Sequence, residues 1–165
     1  GVALFNFDLE CVKILSDKKL DDNDVRLVIG GNRLVINIEK MVTKILKLLT
    51  EYKNVANPSY IDKILKITDM VIASYDKLVI GFIYNEIQEC YKIIADDISI
   101  DKLRDTYTSE ILQSIMKNND FISDGIVLIN IMNYIERIGD YLVYIAESII
   151  YVSSGEDVRY KETTK

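Results

Sequence analysis

Residues 134–151 read YIERIGDYLVYIAESIIY. Ile, Leu, Val and Tyr recur at helical spacing, so the stretch is an apolar helix. Three acids nonetheless recur along it: Glu136, Asp140 and Glu147. Glu136 and Asp140 are four apart and share one helical face, with Cβ atoms about 5–6 Å apart. Glu147 is seven residues beyond Asp140 and falls near the same stripe. Like charges at this spacing repel by a few tenths of a kcal/mol. Either solvent and nearby bases such as Arg137 offset that repulsion, or a bound cation does. Gly139, between the two acids, costs about 1 kcal/mol in a helix interior. That cost suits tight packing, or a group that must approach the backbone.

The same periodicity extends outward over the chain. Apolar residues recur at three and four nearly everywhere, which predicts an all-α, up-down helical bundle. Only seven glycines and one proline occur in 165 residues, too few for a turn-rich β fold. Five helices are expected, at about 4–17, 23–52, 59–96, 100–117 and 121–153. The cluster DKKLDDND supplies N-cap residues for the second. Gly30-Gly31 inside that helix calls for close packing or a kink. NVANPSY, with Pro58, is the clearest boundary, and DDISID (96–101) is read as the next junction. NNDFISD breaks the chain before the last helix, and Gly155 sits where a C′ glycine belongs.

Asp97 and Asp101 repeat the four-residue acid spacing. Hard divalent cations take several carboxylate oxygens, and two helix segments could supply four. A solvated acidic face is the plainer alternative. The net charge of −6 disfavours general nucleic-acid binding, which needs bases to neutralise phosphates. There is no histidine, which removes Ser-His-Asp and Cys-His catalysis and His-ligated zinc. Cys11 and Cys90 lack any CxxC spacing and read as small buried hydrophobes. The eleven tyrosines are expected to pack with their hydroxyls at the surface. No run is apolar enough to span a membrane and no signal peptide shows, so a cytoplasmic location is expected.

INIEKMVTKILKLL (36–49) faintly echoes 133–150, with a short helix before each. The second half has an additional long helix in front of that pair; the first half has none. Two helices cannot bury both apolar stripes alone. An upstream helix, or another chain, is therefore expected to cover the first pair.

YIERIGDYLVYIAESIIYVSSGEDVRY resembles the last helix of the PhoU family, phosphate-signalling regulators associated with bacterial phosphate transporters. The matching pattern is E-R-I-G-D, then I-A-E, then G-E/Q-x-x-R/H. DDISID with KLRDTY resembles the family's D-x-x-x-D turn, and Asp24-Val25-Arg26 its D-[LV]-R element. The resemblance implies two PhoU-like three-helix repeats, the first lacking its first helix: 1–56, then 57–155, then a flexible tail at 156–165. It also implies metal ligands at Glu136, Asp140, Asp97 and Asp101. In the first repeat Glu39 matches, but Val42 replaces the glycine and Thr43 the aspartate; Tyr144 replaces the usual asparagine of the second. Glu39 and Glu147 are thus weaker metal candidates. Oxygen-only ligands suggest Mg, Mn, Ca or Fe.

By the same resemblance the expected function is non-enzymatic regulation of phosphate uptake and phosphate-starvation signalling. The implied partners are a phosphate ABC transporter and a sensor histidine kinase, with a homodimer, no nucleic acid, and membrane association only through partner proteins. The alternatives are the cytoplasmic tail of a Na/phosphate cotransporter, or a carboxylate metalloenzyme. A two-metal hydrolase needs ions about 3.5–4 Å apart and an open position for water. The missing histidines and the absent first-repeat aspartate argue against it.

Overall fold

A computed structural model describes residues 2–16, 19–53, 58–84, 86–155 and 158. Among them lie five α-helices: α1 (Val2–Leu15), α2 (Asp22–Glu51), α3 (Pro58–Tyr84), α4 (Ile87–Lys117) and α5 (Ile122–Ser154). The tail expected at 156–165 lies outside the described residues, apart from Val158.

The helix ends follow local chemistry. The Asp21 carboxylate accepts from the backbone N–H groups of Asn23 (2.9 Å) and Asp24 (2.8 Å) and so caps α2. Asp22 and Asp24 add negative charge where the helix dipole favours it. At the far end of α5, Gly155 takes the left-handed conformation (φ 71°), and its N–H donates to the Tyr151 carbonyl at 2.8 Å. A side chain is disfavoured at that backbone angle, which is why glycine ends the helix there.

One expected boundary is wrong. DDISID is not a junction: it lies inside α4, and the chain breaks instead at 85–86. Ile93, Ile100, Tyr107 and Ile111 form a buried stripe at spacings of seven, seven and four, which runs unbroken through the acids. A cluster of Asp does not stop a helix when its apolar face continues. The real turn follows Gly81. A Cβ there would stand 2.7 Å from the Cys90 sulfur, so glycine lets the end of α3 lie against the start of α4.

α5 is the centre of the molecule. It packs against α2, α3 and α4, whereas α1 packs on α2 alone among the described residues. Leu128, Ile131, Met132, Leu142, Ala146 and Ile150 of α5 are fully buried, against Ile67 of α3 and Ile93, Ile100 and Ile111 of α4. Ion pairs Lys63–Glu110 and Lys77–Asp96 tie α3 to α4 at the surface. α3, α4 and α5 thus form a three-helix bundle, and the α1–α2 pair leans on the other side of α5. Val12 and Ile14 of α1, and Val42, Leu46 and Leu49 of α2, stay exposed. These two helices alone cannot cover that apolar face.

Several tyrosines depart from the surface expectation, among them Tyr52, whose hydroxyl is buried. Tyr60 and Tyr107 belong to the core. Tyr60 stacks on Phe121, with centroids 5.2 Å apart, and its hydroxyl donates to the Ser114 hydroxyl at 2.7 Å. A ring can be buried once its O–H finds an internal acceptor. Both cysteines are free and buried, and burial pushes the Cys90 thiol up to about 11. Among the described residues no helix is long and apolar enough to cross a membrane.

Gly30 and Gly31 divide the two explanations for their presence. A Cβ on Gly30 would meet Ile145 of α5 at 3.2 Å, a close packing contact; one on Gly31 would meet nothing within 4 Å. α2 continues through both. Replacing Gly31 with Ala should therefore stabilise this chain by up to about 1 kcal/mol through helix propensity. Gly30→Ala should give less, or destabilise, because Ile145 must shift. Urea unfolding of the two variants checks the order; equal effects would refute the packing argument.

Candidate functional site

Asp97 and Asp101 lie one turn apart on α4, and Glu136 and Asp140 one turn apart on α5. The seam between these two helices brings the four together. Gly139 is the reason α4 can come so close. A Cβ at that position would stand 3.3 Å from the Asp97 Oδ1. The group that approaches the α5 backbone beside Gly139 is thus the carboxylate of Asp97. Gly139 itself is buried.

A cation already stands in the patch, and sequence reading missed it. Arg104, seven residues beyond Asp97 on α4, points its guanidinium at the acids. Its Nη2 donates to Glu136 Oε1 at 3.4 Å and lies 3.7 Å from Asp101 Oδ1; its Nε lies 3.4 Å from Asp105 Oδ1. The i,i+3 spacing from Asp101 was the available signal. These contacts are long for charge-assisted bonds, which usually fall near 2.7–2.9 Å. Asp97 Oδ1 and Asp101 Oδ1 are buried and accept no hydrogen bond among the described residues. Buried oxygens without donors are costly, so the patch holds more negative charge than its own bases satisfy.

The ionisation of the acids reflects this. Burial, then the charges of Asp101, Asp140, Glu136 and Glu147, push Asp97 up to about 6. Glu136 is raised by burial and by Asp140, against the pull of Arg104. Asp140 is raised by burial and by Asp101, against Arg104 and Arg137. Glu147 is close enough to act on Asp97, as its place on the stripe predicts. Glu39 sits on α2, which makes no contact with α4, and is not among the charges acting on Asp97. Beside the patch is a groove of about 520 Å³, lined by Arg104, Asn130, Asn133, Tyr134, Glu136, Arg137 and Asp140. Among the described residues, no three Asp, Glu or Cys side chains are already arranged around one point as a ligand set.

The PhoU domain pattern matches residues 64–149, more than half of the chain. This chain belongs to the PhoU family. The matched span takes in Asp97, Asp101, Glu136, Asp140 and Glu147, and stops short of Glu39. A PhoU homolog of Pseudomonas aeruginosa, described as a phosphate-specific transport system accessory protein, is 26% identical over 164 residues. That alignment covers 97% of this chain and 68% of the relative. A Pseudomonas putida protein of the same description is 28% identical over 159 residues, covering 94% of this chain and 62% of the relative. This PhoU chain thus spans about two thirds of the length of the relatives it matches. The fold is that of the phosphate transport system regulatory protein PhoU from Streptococcus pneumoniae, with a TM-score of 0.75 at 21% identity. That likeness covers 94% of this chain and 74% of the other.

The raised acids set a pH dependence. An acid whose folded pKa lies above its unfolded value binds its proton more readily when folded. Its ionisation therefore costs stability, and the cost disappears as pH falls. For Asp97 the window runs from about 6 down to the ordinary value of 3.8. In cation-free buffer the chain should grow more stable between pH 7 and pH 4, and Asp97→Asn should flatten that slope. The cost at pH 7, which acidification to pH 4 removes, is about 1 kcal/mol after allowance for screening at a half-buried site. Thermal melts of both proteins across this range check it; a wild type that loses stability on acidification through this window would contradict it.

Proposed function

We propose that this PhoU protein is a non-enzymatic accessory of phosphate transport, working on the cytoplasmic side and carrying cations on the α4–α5 patch. The descriptions of its relatives as phosphate-specific transport system accessory proteins support the first part. The partners are a phosphate ABC transporter and a sensor histidine kinase. The chain works as a homodimer, which also shelters part of its exposed apolar surface.

One observation carries the cation reading: four carboxylates meet at one seam, with two buried oxygens that accept no hydrogen bond among the described residues and Asp97 raised to about 6. The donor set fits a hard ion. Asp97, Asp101, Glu136 and Asp140 are all oxygen ligands, which suits Mg, Mn, Ca or Fe over structural zinc. Such an ion supplies the positive charge that Arg104 delivers only at long range. To admit it, Arg104 moves off Glu136 and Asp101, while Asp97 stays seated against Gly139. Rigidifying this seam, or bridging it to a partner, is the use we assign to the ion. Glu147 is at the margin of the patch and Glu39 outside it.

The test is metal content and calorimetric titration with Mn, Mg, Ca and ferrous ion. Wild type should bind; Glu136→Ala with Asp140→Ala should weaken binding at least about tenfold, the loss of two charged ligands. The double variant should also lose association with the transporter while keeping its helicity. Unchanged metal content and unchanged partner binding would reduce the patch to a solvated acidic face.

A further inference from the structure

The chain is acidic overall, yet α2 concentrates bases on one face. Arg26, Arg33, Lys40 and Lys44 are separated by seven, seven and four residues, and all four are exposed. Helical periodicity places them in a single stripe. It borders the groove between α2 and α5, where Lys44 sits over the Tyr134 ring at 5.1 Å. Among the described residues, the ion pairs involve neither Arg26 nor Arg33.

Along that groove are two hollows of about 310 and 270 Å³, which share Gly30, Arg33 and Tyr144. The second also takes in Arg26, Glu147 and Tyr151. The floor is apolar, because Gly30 carries no side chain and Ile145 packs against it. Tyr144 is 50% exposed and Tyr151 37%, so these rings stand on the rim and not in the core.

We propose that the α2–α5 groove binds a nucleotide, with Arg26 and Arg33 on its phosphates and Tyr144 against its base. Guanidinium groups bind phosphate oxygens in pairs and tolerate no loss of charge at any working pH. Tyrosine rings stack on any planar base without reading its identity. The two hollows together reach the size usual for small-molecule sites. Seven residues of helix place the arginines about 10 Å apart along the axis, so one ligand with several phosphates can meet both. This site shares only Glu147 with the margin of the α4–α5 carboxylate patch.

The experiment is calorimetric titration of the chain, in buffer with a chelator to silence the carboxylate patch. The probes are ATP, ADP, AMP, adenosine and inorganic phosphate. ATP and ADP should bind, with adenosine and inorganic phosphate at least about tenfold weaker, a difference of 1.4 kcal/mol. Arg26→Ala with Arg33→Ala should weaken ADP at least about tenfold, and Arg33→Lys by less, because it keeps the charge but not the fork. Tyr144→Ala should weaken ADP several-fold. All these side chains are exposed, so circular dichroism and melting should be unchanged. Absence of nucleotide binding, ADP binding indifferent to the double arginine variant, or inorganic phosphate binding as well as ADP would each overturn the proposal.

Discussion

α5 must satisfy three neighbours at once. α2, α3 and α4 all pack on it, and its buried residues run from Gly125 to Ile150 along one broad face. The opposite face of the helix is left for polar and charged side chains. Glu136, Asp140 and Glu147 occupy that face, and it opens where α4 passes. Gly139 completes the constraint: without a side chain there, the α5 backbone lies open to the Asp97 carboxylate.

The electrostatics of the seam follow from that geometry. Arg104 reaches several acids and satisfies none of them at short range. A guanidinium at such distances screens the patch without neutralising it, and the remaining charge appears as raised proton affinity. Along α2, by contrast, bases gather on a helix flank beside tyrosine rings. The molecule thus presents an acidic seam and a basic groove on two sides of α5. Its modest net charge of −6 conceals both.

The apolar face of α1 and α2 has a different origin. Among the described residues α2 leans on α5, and α1 packs on α2 alone. Val12, Leu46 and their neighbours remain in solvent because burying a helix pair takes a third layer. The relatives are about half as long again as this chain.

Much of this was legible in the residues alone. The period of the apolar positions specifies helices; a capping aspartate and a C′ glycine specify where α2 begins and α5 ends. The four-residue spacing of each acid pair places both members on one helix face. The tertiary structure decided what local patterns cannot. DDISID carries turn-forming residues, yet Ile93 and Ile100 hold it helical because both must reach the core beside α5. Arg104 and Asp97 enter the site only through the crossing of α4 and α5, a contact between residues some thirty to forty apart. The basic groove likewise exists only because α2 lies along α5. Local sequence sets which way each side chain leaves its helix, and packing of distant apolar stripes sets which of those faces meet.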